Sequence, residues 1–121
     1  MLKNFLLIGI GGAAGSMLRY TAALIISNRN FPYSTFAVNI IGSFIIGIVM
    51  AFSLKNANFQ NNWQLLLATG LCGGFTTFSA FTFENLQLMQ NGRYLISILY
   101  ISGSLIAGML AVWLGYISIR N

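Results

Sequence analysis

Histidine is absent from the 121 residues and acid is almost absent, Glu84 being the only carboxylate side chain. General acid–base pairs, imidazole-based nucleophilic triads and histidine or carboxylate metal cages therefore cannot be assembled within one chain. Cys72 is the only cysteine, so neither an intrachain disulfide nor a cysteine metal site can form. Hydrolytic and redox chemistry have no groups to work with, and the chain reads as a non-enzyme. Charge of either sign is sparse: 6% of residues are Asp, Glu, Lys or Arg, against about a quarter in ordinary soluble domains. Apolar residues fill the space instead, with 57% hydrophobic residues and a mean hydropathy of +0.79, the composition of an integral membrane protein.

The net charge of +5 arises from Lys3, Arg19, Arg29, Lys55, Arg93 and Arg120 set against Glu84. These cations stand singly between apolar stretches, so nucleic acid has no basic patch to bind. Snorkelling and topology account for the excess.

Crossing a hydrocarbon core takes about 20 apolar residues. The sequence offers four such stretches in a single transmembrane domain, residues 1–121: Leu2 to Ile26, Ser34 to Leu54, Trp63 to Gln90 and Tyr94 to Ile119. A cleaved leader is not expected, because Arg19 falls where the cleavage zone would have to be. Pro32, the only proline, is placed to open the second span. Gly9-Ile10-Gly11-Gly12-Ala13-Ala14 formally fits a dinucleotide fingerprint, but no strand precedes it and no acid stands about 20 residues on. Gly11 and Gly15 are better read as a small-xxx-small pair that lets two helix backbones approach in lipid. Arg19, near the end of this span, either snorkels to the headgroups or attracts an anion.

The third span carries the most informative run, Gly70 to Phe83, which holds three glycines, four hydroxyls and four phenylalanines. Glycines at 73 and 74 weaken a helix where no water satisfies freed peptide groups, so this backbone must be buried against protein or face an ion. A helix broken near 73–76 is expected, and such breaks mark ion sites in transporters and channels. Beyond it Phe75, Phe78 and Phe81 follow at i, i+3 spacing and are expected to share one face, with Ser79 and Thr82 beside them. Glu84, at the far end of the segment, is expected to stay hydrated in an access or capping role. In the second span Asn39 needs a partner for its amide, as interhelical glue or as a pore-lining donor. In the fourth, Tyr100 and Ser104 lie i, i+4 on one face.

Four spans put both termini and Lys55 on one side, and the links holding Arg29 and Arg93 on the other. The resulting bias, Lys3, Lys55 and Arg120 against Arg29 and Arg93, is nearly nil, whereas a clear excess normally sets orientation. A chain without a preferred orientation inserts both ways, and four helices are few to enclose a hydrated path. An antiparallel homodimer with its twofold axis in the membrane plane is the simplest unit.

Gly15-Ser16-Met17-Leu18-Arg19-Tyr20, Thr35-Phe36-Ala37-Val38-Asn39-Ile40-Ile41-Gly42-Ser43-Phe44 and Gly70-Leu71-Cys72-Gly73-Gly74-Phe75-Thr76-Thr77-Phe78-Ser79-Ala80-Phe81 resemble, in order and spacing, the signature stretches of the Fluc (CrcB-type) fluoride channels. The resemblance implies an all-α, dual-topology antiparallel homodimer with a broken third transmembrane helix. It would sit as a multi-pass protein in the cell inner (plasma) membrane and let fluoride leave the cytoplasm passively, relieving its toxicity. It also implies two pores and one structural, untransported sodium ion (Na+) at the dimer interface. Carried over by residue, Phe78 and Phe81 line the fluoride path, Asn39 is the pore asparagine and Ser79 a hydroxyl of the polar track. Tyr100 and Ser104 resemble the fourth-helix pore residues more loosely. Gly73 and Thr76 match the positions whose backbone carbonyls hold sodium, both subunits contributing. Arg19 matches a first-helix arginine, for anion attraction or anchoring. Ala80 departs from the pattern, standing where relatives often carry a second hydroxyl, which thins the polar track.

Fluoride is strongly hydrated, so a pore must replace water with donors without trapping the ion. Asn39, Ser79 and Tyr100 each offer a donor, and the positive edges of Phe78 and Phe81 supply weak contacts. The rival from another class is a small multidrug-type proton-coupled antiporter, which needs an embedded carboxylate in its first helix; this first span has none. A non-conducting assembly protein is the remaining alternative.

Overall fold

A computed structural model describes residues 1–28 and 30–120. Arg29, counted above on one side of the membrane, lies outside the described residues, as does Asn121. Among the described residues four helical segments are long and apolar enough to cross a membrane: Leu2–Ile25, Tyr33–Lys55, Ala57–Gln90 and Tyr94–Arg120. The first, second and fourth are the continuous helices α1 (Leu2–Ile25), α2 (Tyr33–Lys55) and α6 (Tyr94–Arg120). The third is composite. It begins as α3 (Ala57–Gln64), widens into a π-helical stretch over Leu65–Cys72, closes with the single turn α4 (Gly73–Phe75) and restarts as α5 (Phe78–Gln90).

The ends of these elements follow from local chemistry. Pro32 sits at the N-cap of α2, where its missing N–H is no loss. Lys55, in the last turn of α2, reaches the carbonyls of Ile119 and Arg120 at the end of α6, so these two helices finish side by side. Gly92 turns α5 into α6 at φ +75°, a conformation that favours glycine. Its N–H donates to the Met89 carbonyl at 3.0 Å and Arg93 N–H to Leu88 at 2.8 Å, which satisfies helix-end acceptors.

Two seams hold the bundle, and both rest on glycine. A Cβ at Gly11 would collide with the Leu66 carbonyl and one at Gly15 with the Leu71 carbonyl, so α1 lies backbone to backbone on the π-helical stretch and α4. Across the bundle, Gly47 faces the Val112 carbonyl and Gly115 the Phe44 carbonyl, joining α2 to α6. The bulky apolar side chains point outward: Ile10 is 64% exposed, Met17 64% and Met109 75%. In water such a surface would aggregate, whereas hydrocarbon solvates it. Phe81, Leu88 and Tyr100 form a small buried cluster, with Phe31, Phe36, Ile96 and Ile101 packed around it.

The expected three-phenylalanine face is not formed. Thr76 and Thr77 are extended, so Phe75 belongs to α4 and only Phe78 and Phe81 keep the i, i+3 relation, their ring centroids 6.0 Å apart.

Candidate functional site

The site is built around the interruption of the third span. Gly73 holds helical dihedrals (φ −61°, ψ −38°), and the chain leaves the helix at Thr76 (φ −85°, ψ 158°) and Thr77 (φ −151°, ψ 123°). β-Branched side chains suit that extended geometry. The glycine beside the break serves close approach instead, since a Cβ at Gly74 would strike the Gly12 carbonyl of α1.

In a bilayer every peptide group freed by the break needs a partner, at several kcal/mol each. The Thr77 N–H donates to Asn39 Oδ1 at 2.8 Å, and Asn39 Nδ2 donates back to the Thr77 carbonyl at 3.1 Å. One amide head thus satisfies both polar groups of one residue, and the pairing dictates which way it faces. Arg19 Nε donates to the Gly74 carbonyl at 3.0 Å, giving the α1 arginine a backbone partner inside the bundle. Thr76 Oγ1 donates to the Cys72 carbonyl at 2.8 Å. Thr77 Oγ1 accepts the Ala80 N–H at 3.2 Å, an N-cap that restarts the helix as α5.

Asn39, Gly73, Thr76, Phe78, Phe81 and Ser104 come together on an open groove of about 470 Å³. Among the described residues the hydroxyl of Ser104, buried there, has no partner. Asn39 still holds one uncommitted N–H, because an amide nitrogen carries two and Thr77 takes one. Phe81 is nearly buried, while Phe78 is 76% exposed on the groove rim. Ser79 is exposed and does not line the groove; its Oγ lies 3.3 Å from Thr77 Oγ1. Thr82 donates to the Ser79 carbonyl at 2.9 Å.

Tyr100 stands behind Phe81, the rings meeting edge to face at 4.9 Å and 69°. Its O–H donates to Glu84 Oε1 at 2.9 Å, and Thr35 Oγ1 donates to Glu84 Oε2 at 2.7 Å. Glu84 is therefore half-buried and held by two hydroxyls. It also lines a second, more polar cavity of about 470 Å³ together with Asn28, Asn30, Ser34, Asn91 and Arg93. Phe81, Tyr100 and Glu84 thus form a septum, with the groove on the Phe81 side and the polar cavity on the Glu84 side. Thr35 carries no sequence signal of its own, but a lone carboxylate in a membrane span marks a functional position by default.

Among the described residues no cluster of histidine, cysteine or acid could hold a metal. The chemistry of the break nonetheless fits a hard cation, which takes oxygen ligands. The N–H that would close a helical turn onto the Gly73 carbonyl belongs to Thr77 and is diverted to Asn39. Among the described residues neither the Gly73 nor the Thr76 carbonyl accepts a backbone bond outside the helices. Two oxygens are few for such an ion.

The profile of the CrcB-like protein family (Camphor Resistance, CrcB) matches residues 6–116. A protein of Azobacteroides pseudotrichonymphae named fluoride-specific ion channel FluC is 49% identical over 120 residues, covering 97% of this chain and 96% of its own. Proteins of the same name from Chlorobaculum tepidum and Chlorobium chlorochromatii are 45% and 42% identical, covering 95% and 97% of this chain and 93% and 92% of theirs. Matched over nearly its whole length, the chain belongs to the CrcB-like family of membrane ion channels.

Proposed function

We propose that this protein conducts fluoride passively out of the cytoplasm as an antiparallel homodimer in the cell inner membrane. The observation that carries the reading is the groove beside the break, which Asn39, Ser104, Phe78 and Phe81 line together. Asn39 contributes its spare N–H and Ser104 its orphaned O–H. Phe81 and Phe78 supply electropositive ring edges, contacts weak enough for an ion to leave again. Tyr100 has its single O–H committed to Glu84, so it serves the ion only after exchanging that bond. The names of the relatives support fluoride as the ion.

A lone chain leaves the groove open and Phe78 exposed, which favours a second copy as the missing wall. In that unit Gly73 and Thr76 carbonyls from both chains would hold a structural sodium, which neutralises carbonyl dipoles that lipid cannot solvate. Ser79 would join the path only at such an interface. The antiporter reading gains nothing, since α1 contains no acid.

Purified protein in liposomes, followed with a fluoride electrode and no pH gradient, tests the proposal. Fluoride efflux is expected; no flux, or drug–proton exchange, would overturn it.

A further inference from the structure

The contact of α5 with α6 contains a polar pair that the conduction path does not use. The buried side chains of α5 are Phe81, Asn85 and Leu88, one per turn along a single stripe. Asn85 is 4% exposed and Ser97, facing it from α6, is 2% exposed. Ser97 Oγ donates to Asn85 Oδ1 at 2.9 Å, and Asn85 Nδ2 donates to the carbonyl of Phe81 at 2.8 Å. The pair lies one turn from the Phe81–Tyr100 edge contact on both helices. A bland stripe would place leucine here, as the next turn does at Leu88.

An apolar stripe slides with little penalty, whereas a slipped Asn85–Ser97 pair leaves a buried amide and a buried hydroxyl without partners. Asn85 also grips the backbone of Phe81 itself. We infer that Asn85 and Ser97 are positioning residues: their bond fixes the register of α5 on α6 and so holds the Phe81 ring in its T-shaped contact with Tyr100, on which selectivity for fluoride then rests. This rests on the fluoride-channel reading above.

The test compares Ser97→Ala, Ser97→Thr and the paired apolar replacement Asn85→Leu/Ser97→Ala, each reconstituted as monodisperse protein. Flux per protein and the fluoride-to-chloride permeability ratio are read alongside thermal stability. Ser97→Ala is expected to reduce the permeability ratio about tenfold, the scale of one lost buried bond. Ser97→Thr, which keeps the hydroxyl, is expected to restore it. The paired variant removes both polar partners, leaving no orphan to unfold the bundle, and is expected to remain folded with the ratio still low. A merely structural pair would lower stability and leave the ratio unchanged, and that result overturns the inference. Wild-type protein that carries no fluoride would instead sink the channel reading, so the two failures are distinguishable.

Discussion

Replacing Asn39 with leucine removes its bonds to the Thr77 N–H and carbonyl while keeping the same number of side-chain heavy atoms. The Thr77 N–H, held at 2.8 Å, is left unpaired, whereas its carbonyl, the N-cap acceptor of α5, loses only its second bond at 3.1 Å. The buried orphan costs about 1–3 kcal/mol and the lost second bond about 0.5–1.5 kcal/mol, so the change is expected to lower stability by about 2–4 kcal/mol. Asn39→Asp is gentler on the fold and harder on the ion. Its carboxylate still accepts the Thr77 N–H in a stronger, charge-assisted bond. It cannot donate to the Thr77 carbonyl, and it repels an anion. Stability is therefore expected to rank asparagine, then aspartate, then leucine, while fluoride flux is lost in both variants. Thermal unfolding of the solubilised protein and amide hydrogen exchange at Thr77 measure the first ranking, and electrode-detected efflux the second. If Asn39→Leu matches the wild type in stability and Thr77 protection, the bracing argument is refuted.

Gly15→Ala forces a Cβ against the Leu71 carbonyl, backbone that cannot step aside, and is expected to cost about 1–3 kcal/mol by overpacking. Gly9→Ala on the same helix meets nothing within 4 Å and is expected to be neutral or slightly stabilising; equal melting temperatures for the two would deny the close-packed seam. Phe81→Ile keeps bulk but loses the ring edge, so flux is expected to drop steeply with dimers intact on size exclusion, and normal flux would show that edges are not needed. Complete removal of sodium is expected to loosen the two-chain unit; unchanged association and conduction in sodium-free buffer would show that the Gly73 and Thr76 carbonyls need no cation.

Four spans and a broken third helix are legible from hydropathy and from the crowding of glycine and hydroxyls between Gly70 and Phe83. The mechanism of the break is less so. Glycine suggests a flexible joint at 73 and 74, yet those residues stay helical and the extended pair is Thr76–Thr77. Thr77, a threonine before a new apolar run, is the residue that caps the restart. Glu84 is legible as the only acid, but its hydroxyl partners lie 49 residues before it and 16 after, beyond any local pattern. Asn85 and Ser97 are invisible for the same reason, since they stand 12 residues apart on different helices.

The glycines and the polar braces depend on one another. Gly12 and Gly74 touch backbone to backbone, and that approach brings Arg19 within reach of the Gly74 carbonyl. On α2, Asn39 and Gly42 lie i, i+3 on one face, the first bonded to Thr77 and the second giving room to the Thr76 methyl, where a Cβ would collide. Thr76 cannot turn that methyl aside at χ1, because its other branch is bonded to the Cys72 carbonyl. A single stripe of α2 thus dictates the direction of two consecutive peptide groups, which is why an extended segment can persist at membrane depth instead of relaxing into the helix on either side of it.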